Sequence, residues 1–167
     1  MLKPAILYKD QLERKFQENL YTEDYYYYAG YEGCSSVPDI TAEDHRYHWV
    51  SVDSSDNILG YFTYYIYRVP DTVCSFGLYA FKKHSPTFAR DIYRKLENLI
   101  ENHHRLEWRM ISTNPIGDAY NRFLKQYGNY NRLQTTRLVL HDVNVDPDGK
   151  YSDDIIYEII NPNVMNR

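Results

Sequence analysis

Hydrophobic and polar positions alternate along the chain with two periods. Within 5–21, Tyr8, Leu12, Phe16 and Leu20 recur every four residues, and Lys9, Asp10, Glu13, Arg14, Lys15 and Glu18 fill the other faces, which predicts an amphipathic helix. Over 47–53 the period falls to two, with Tyr47, Trp49 and Ser51 on one face and His48, Val50 and Val52 on the other, which predicts a strand. Ser54, Ser55, Asp56 and Asn57 turn it into a long second strand, 58–68, and Val69, Pro70 and Asp71 turn that into a third, 73–81. Three strands on short turns make an antiparallel meander. Gly60, inside the second of them, marks a bulge or a close backbone approach.

The third strand runs through the polar turn Lys82, Lys83, His84 into a helix. Ser85 offers the side-chain oxygen wanted at an N-cap, and Pro86 suits the first helical position, where a missing N–H costs nothing. Phe88, Ile92, Leu96 and Ile100, widened by Leu99, form the buried stripe. The start of such a helix carries unpaired N–H groups and partial positive charge, so with Lys82, Lys83 and Arg90 beside it this is a candidate anion site, or else an ordinary strand-to-helix connection. Asn102, His103, His104 and Arg105 end the helix, and 106–112 is a strand with Leu106, Trp108 and Met110 on one side. Reached through a helix, it should lie parallel to the preceding strand by a right-handed crossover. Asn114-Pro115 opens a second helix with the stripe Ile116, Tyr120, Phe123, Leu124 and Tyr127, which Gly128 should stop. Strands at 134–142 and 154–160, joined around Asp146-Pro147-Asp148-Gly149, should pair antiparallel.

Residues 22–44 fit neither period. Tyr25 to Tyr28 form a run of four, followed by Gly30, Gly33, Ser35, Ser36 and Pro38, a turn-forming composition. The aromatic content argues against disorder, so this reads as a folded flap over a cavity or a surface-packing loop. The chain holds 19 Tyr in 167 residues, which suggests a Tyr-lined cavity, although Tyr is also a good strand residue. That length and 43% hydrophobic residues suit one domain, 1–167. A net charge of −4 with interspersed signs gives no footprint for nucleic acid. No apolar run reaches membrane-spanning length and the first residues lack a signal peptide's apolar stretch, so a soluble cytoplasmic protein is expected. Two cysteines, Cys34 and Cys74, make neither a disulfide scaffold nor a zinc cluster, and no other spacing suggests a metal. His103-His104 reads as a helix C-terminal cap. Exposed Tyr and a terminal strand offer an edge for a homodimer.

The order helix–loop–β–β–β–α–β–α–β–β resembles the GNAT superfamily of N-acetyltransferases. The likeness rests on the strand–turn–helix at 73–101, the strand 106–112 and the Asn114-Pro115 step. ILGYFTY, TNPIGDAYNRF and DGKYSDDIIYEII are similar to stretches of a group of bacterial GNAT-like proteins, over about 7–160. The resemblance implies an α/β (α+β) fold: a mixed, mostly antiparallel twisted sheet with helices on both faces, its parallel pair splayed near Phe81 and Ser112. It implies acetyl-CoA as cofactor and a small-molecule or protein amine as acceptor. The pyrophosphate would rest on backbone N–H groups around Ser85, Thr87, Phe88 and Ala89, with Arg90 beside them. The pantetheine arm would run along Leu78, Tyr79, Ala80 and Phe81, and Asn114 would meet it. Tyr120 is the nearest match to the superfamily's acid for the leaving thiolate, Tyr127 a weaker one, and a core Tyr is the competing role. Candidate bases are His48, Glu43, Asp44 and His45, and Glu23, Asp24, Asp39, Glu43 and Asp44 would suit a cationic amine.

The phosphate turn departs from the superfamily's. It has no glycine between Lys82 and Arg90 and places Pro86 where a donor would help, which weakens binding without excluding it. A GNAT-like fold that binds a partner or ligand without catalysis is therefore the alternative to an acetyltransferase.

Overall fold

The computed structural model describes residues 1–41, 45–130 and 133–164. Seven strands form a mixed, mostly antiparallel sheet flanked by helices: β1 (Leu2–Pro4), β2 (Arg46–Val52), β3 (Ile58–Tyr67), β4 (Thr72–Tyr79), β5 (Arg105–Ile111), β6 (Gln134–Val145) and β7 (Tyr151–Ile160). The strand order is β1-β2-β3-β4-β5-β7-β6. The helices are α1 (Lys9–Gln17), α2 (Glu23–Gly33), α3 (Pro86–Asn102) and α4 (Gly117–Tyr130), with a 3-10 turn at Ala5–Tyr8. Two compact units divide these elements: Met1–Tyr65 with Phe76–Glu97, and Ile66–Ser75 with the chain from Asn98 onward.

In the first unit the period-two pattern places β2 and β3 in the expected antiparallel ladder. Tyr47 lies opposite Tyr64, their rings stacked with centroids 5.2 Å apart. The register slips between Ser51 and Val52, and Gly60 sits at that irregularity. A Cβ on Gly60 would stand 2.4 Å from Cζ of Phe88, so the bare backbone is what lets the α3 ring reach the strand. The stripe of α1 is also as predicted: Leu12 and Phe16 are fully buried. Phe16 is the hub of an aromatic cluster with Tyr25, Tyr28, Tyr61, Tyr79 and Phe81, every centroid within 6 Å of its own.

One expectation fails in this unit, and one element is new. The Tyr run is not a loop: it lies within α2, whose N-cap Thr22 accepts from Tyr25 N at 3.3 Å, with Glu23 and Asp24 in the first turn. Tyr25 and Tyr26 are buried by it, and Gly30, at φ 73°, kinks the helix instead of preventing it. The three-residue β1, aligned by Lys3↔Val50 on β2, has no periodicity of its own and was not anticipated.

In the second unit β4 and β5 are parallel, as a crossover through a helix requires, with Thr72↔Arg105 and Val73↔Leu106 in register. The ladder stops after those two pairs, whereas β5 is paired with β7 over its whole length. Trp108 and Tyr157 stack across that ladder at 5.3 Å, and Phe123 and Tyr127 of α4 are buried with them on the helix stripe. Gly128 does not end α4. It lies within the helix, where a Cβ would come 2.8 Å from Thr135 Oγ1, so its role is close approach to β6. The Asp71 carboxylate holds His103 Nδ1 at 2.7 Å and accepts from His104 N at 2.9 Å, tying the end of α3 to the turn before β4. His103 therefore caps through a carboxylate, not through the helix carbonyls.

Candidate functional site

The start of α3 follows from local chemistry. Ser85 is buried and its Oγ accepts from Phe88 N at 3.3 Å, the predicted N-cap bond. Ala89 N donates to the Ser85 carbonyl at 3.1 Å, the first regular helical bond. Of the four N–H groups that a helix start normally leaves over, Pro86 has none and that of Phe88 is taken by the cap. Ser85 N–H and Thr87 N–H remain for a ligand. Before them His84 takes φ 55°, a left-handed conformation that glycine would adopt without cost. The flanking cations are unequal. Lys83 pairs with Asp24 of α2 at 2.7 Å, and the hydrogen bond and charge of that carboxylate raise its pKa. Lys82 and Arg90 are exposed.

Leu78, Tyr79, Ala80 and Phe81 lead into this turn in the same unit. Their side chains are largely committed elsewhere: Tyr79 is buried and donates from its hydroxyl to Asn19 Oδ1 at 2.9 Å, and Phe81 packs edge-on against Phe16 and Tyr79. What they could offer a ligand is backbone. Lys82 N is held by the Leu59 carbonyl at 2.9 Å, which fixes the strand's exit. Structure thus brings Ser85, Thr87, Phe88, Ala89 and Arg90 together on one helical turn and sets the 78–81 segment before it.

Asn114 and Tyr120 belong to the second unit. Asn114 makes the turn that leads into α4: its Oδ1 accepts from Ile116 N at 3.1 Å and its carbonyl from Gly117 N at 3.1 Å, leaving the side-chain NH₂ as donor. Tyr120 is half-buried against Trp108 and Tyr157, and desolvation pushes its hydroxyl up to about 12, so it holds its proton at neutral pH. Tyr127 is buried beside Phe123 in the packed stripe.

Of the residues weighed as bases, Glu43 and Asp44 lie outside the described residues. His45, at φ 72°, sets its ring edge-on to Tyr65. His48 is different. Its Nδ1 lies 2.5 Å from the hydroxyl of Tyr61, a fully buried residue. Tyr61 sets its ring edge-on to that of Tyr28, with centroids 6.2 Å apart, and the charge of Arg46 acts on both tyrosines. Burial is the main cause that raises Tyr61 to about 12 and Tyr28 well above the ordinary tyrosine range, while Arg46 pulls both down. The Tyr28 ring lies against the backbone of β4, where a Cβ on Gly77 would meet its Cε2 at 2.8 Å. This cluster was legible only as single residues, because its members come from β2, β3, β4 and α2. Glu23 and Asp24 are exposed at the start of α2, and Asp39 is exposed as well. Among the described residues no three His, Cys, Asp or Glu side chains are grouped to hold a metal ion, and no helix is long and apolar enough to cross a membrane.

No family model and no curated protein matches the chain in sequence. Among solved structures, 111 chains match. A probable GNAT-family acetyltransferase from Chromobacterium violaceum superposes with a TM-score of 0.65 at 20% identity over 99% of this chain and 89% of its own. A GNAT-superfamily phosphinothricin acetyltransferase from Sinorhizobium meliloti, in complex with acetyl-CoA, gives 0.66 at 10% identity over 96% and 88%. A spermidine N-acetyltransferase chimera that includes Vibrio cholerae sequence gives 0.55 at 20% identity over 75% of this chain and 76% of its own. The fold of this chain is that of the GNAT acetyltransferases.

Proposed function

We propose that the chain is an acetyl-CoA-dependent N-acetyltransferase that acts on a primary amine of a small molecule or protein. The observation that carries this reading is the α3 start within a GNAT fold: a capped helix N-terminus with two unengaged donors, Ser85 N–H and Thr87 N–H, and exposed Lys82 and Arg90 beside it. These residues suit a phosphate, and the backbone of Leu78, Tyr79, Ala80 and Phe81 would hold the pantetheine arm. Acetyl-CoA supplies the activated acetyl thioester. On the second unit, Asn114 would offer its side-chain NH₂ to the pantetheine amides. Tyr120, protonated at neutral pH, would give its proton to the leaving thiolate. The liking of the acidic start of α2 for a cation suits an amine that arrives as ammonium.

One observation favours a second reading, a non-catalytic ligand- or protein-binding module: the glycine-free turn, in which Pro86 removes one donor and the cap engages another. Calorimetric titration of acetyl-CoA into the wild type and Pro86→Gly separates the two. Saturable binding by the wild type supports the acetyltransferase. Binding by Pro86→Gly alone identifies a seat that has lost its ligand, and none in either sinks the acetyltransferase reading. For self-association, the long outer strand β6, with Leu138 and Val143 half-exposed, is the edge on which we place a second copy.

A further inference from the structure

We propose that Lys95 of α3 is an acyl-acceptor site, whose ε-amine, laid on the indole ring of Trp49, directly attacks a small activated acyl donor. The inference stands apart from the acetyltransferase reading, because it needs no cofactor seat.

Lys95 occupies a place that the helix pattern would give to an apolar residue. It follows Ile92 by three positions and precedes Leu99 by four, and both of those side chains are buried. Its Nζ lies 4.4 Å from the ring centroid of Trp49 on β2 and 5.6 Å from that of Tyr64 on β3, within one unit. Tyr47, stacked on Tyr64, extends this aromatic surface.

A lysine drawn into a protein is normally paired with a carboxylate. Here Asp91, one turn earlier on α3, is engaged by the Ser51 hydroxyl at 2.6 Å. Among the described residues no carboxylate lies within ion-pair distance of Lys95 Nζ. Burial pushes the Tyr64 hydroxyl up to about 12, so no phenolate faces the amine at neutral pH. Burial also lowers the pKa of Lys95, with no carboxylate to restore it, and the ring faces are what still hold the ammonium. The side chain is only half-buried, so its free amine remains within reach of a donor. Acylation removes the charge that burial penalises and leaves a flat amide to lie on the indole.

The step is a nucleophilic acyl substitution. Lys95 first gives one proton to water, and its lone pair then attacks the acyl carbon. A C–N bond forms, while the C–O bond of an acyl phosphate or the C–S bond of an acyl thioester breaks. The leaving phosphate or thiolate takes the bonding pair, and the surplus proton on nitrogen passes to solvent. Nothing is oxidised or reduced.

The test treats the full chain with acetyl phosphate at neutral pH, or with acetyl-CoA as a second donor, and follows each lysine by mass spectrometry. Lys95 should be acetylated several-fold faster than the exposed Lys125 with either donor. Tryptophan fluorescence should change in step with it, and Lys95→Arg, which keeps a cation on the ring, should abolish that change. In guanidinium chloride the two lysines should react alike, since the advantage belongs to the fold. Equal rates in the folded chain overturn the proposal. An advantage that persists in the unfolded chain, or labelling by acetyl-CoA alone, overturns it too. A wild type that binds no acetyl-CoA brings down the acetyltransferase reading instead, and the acetyl phosphate rates still decide Lys95.

Discussion

His84 sits at φ 55° in the turn that opens onto α3, where a side chain costs energy that glycine would not incur. Replacing it tests whether that turn tolerates the superfamily's glycine. His84→Gly should stabilise the fold by about 0.5 kcal/mol, the relieved strain being partly offset by glycine's greater freedom when unfolded. Urea denaturation would show it, and a destabilised variant would mean that the imidazole makes contacts the backbone needs. The Ser85 hydroxyl is the other residue-scale feature read directly from sequence, since an N-cap is a matter of four consecutive residues. His48 shows the opposite limit. As one polar residue in an alternating strand it carried no sign of Tyr61 and Tyr28, because its neighbours come from elsewhere in the chain.

At the scale of elements, α3 was legible because cap, proline and stripe agree locally, and the parallel placement of β5 followed from the crossover rule. The helix α2 was not. Its run of four tyrosines favours strands and its glycines favour turns, so these local preferences pointed away from a helix. It forms because Tyr25 and Tyr26 are buried in the fold and because Thr22 caps it. Thr22→Ala should therefore cost about 1 kcal/mol, measured by denaturant midpoint, and a cost near zero would show that tertiary burial alone sustains the helix. The misplaced stop at Gly128 has the same origin: a glycine kept for the approach of Thr135 looks, in sequence, like one kept for a helix end.

For the molecule as a whole, pH and ligand are the levers. Burial pushes the Asp71 carboxyl up, but the hydrogen bonds and charges of His103 and His104 outweigh it and hold its pKa below the ordinary value. A carboxyl lowered on folding contributes stability that is complete above its unfolded pKa and is lost as pH falls through the folded one. Wild type should therefore exceed Asp71→Asn in stability at pH 7 by less than about 1 kcal/mol, because the pair is partly solvent-screened, and the gap should close in acid. Equal stabilities at pH 7 would remove Asp71 from the account. Acetyl-CoA at a hundredfold excess over its Kd should add about 2.7 kcal/mol to folding, a rise of roughly 5–10 °C in Tm for a chain of this size. A flat melting curve across that range would argue for the binding-module reading.

The ring of Phe88 resting on the bare backbone of Gly60 has a consequence for how this protein can change over time. One partner is a hole made by the absence of a side chain, and the other is the first buried side chain of α3. Neither position can drift alone: Gly60→Ala should cost about 1–3 kcal/mol by driving a methyl into the ring. In Phe88→Leu the same methyl should be nearly free. Lineages descended from this sequence should then carry either glycine with an aromatic ring or a larger residue with a smaller aliphatic one, inherited as a pair.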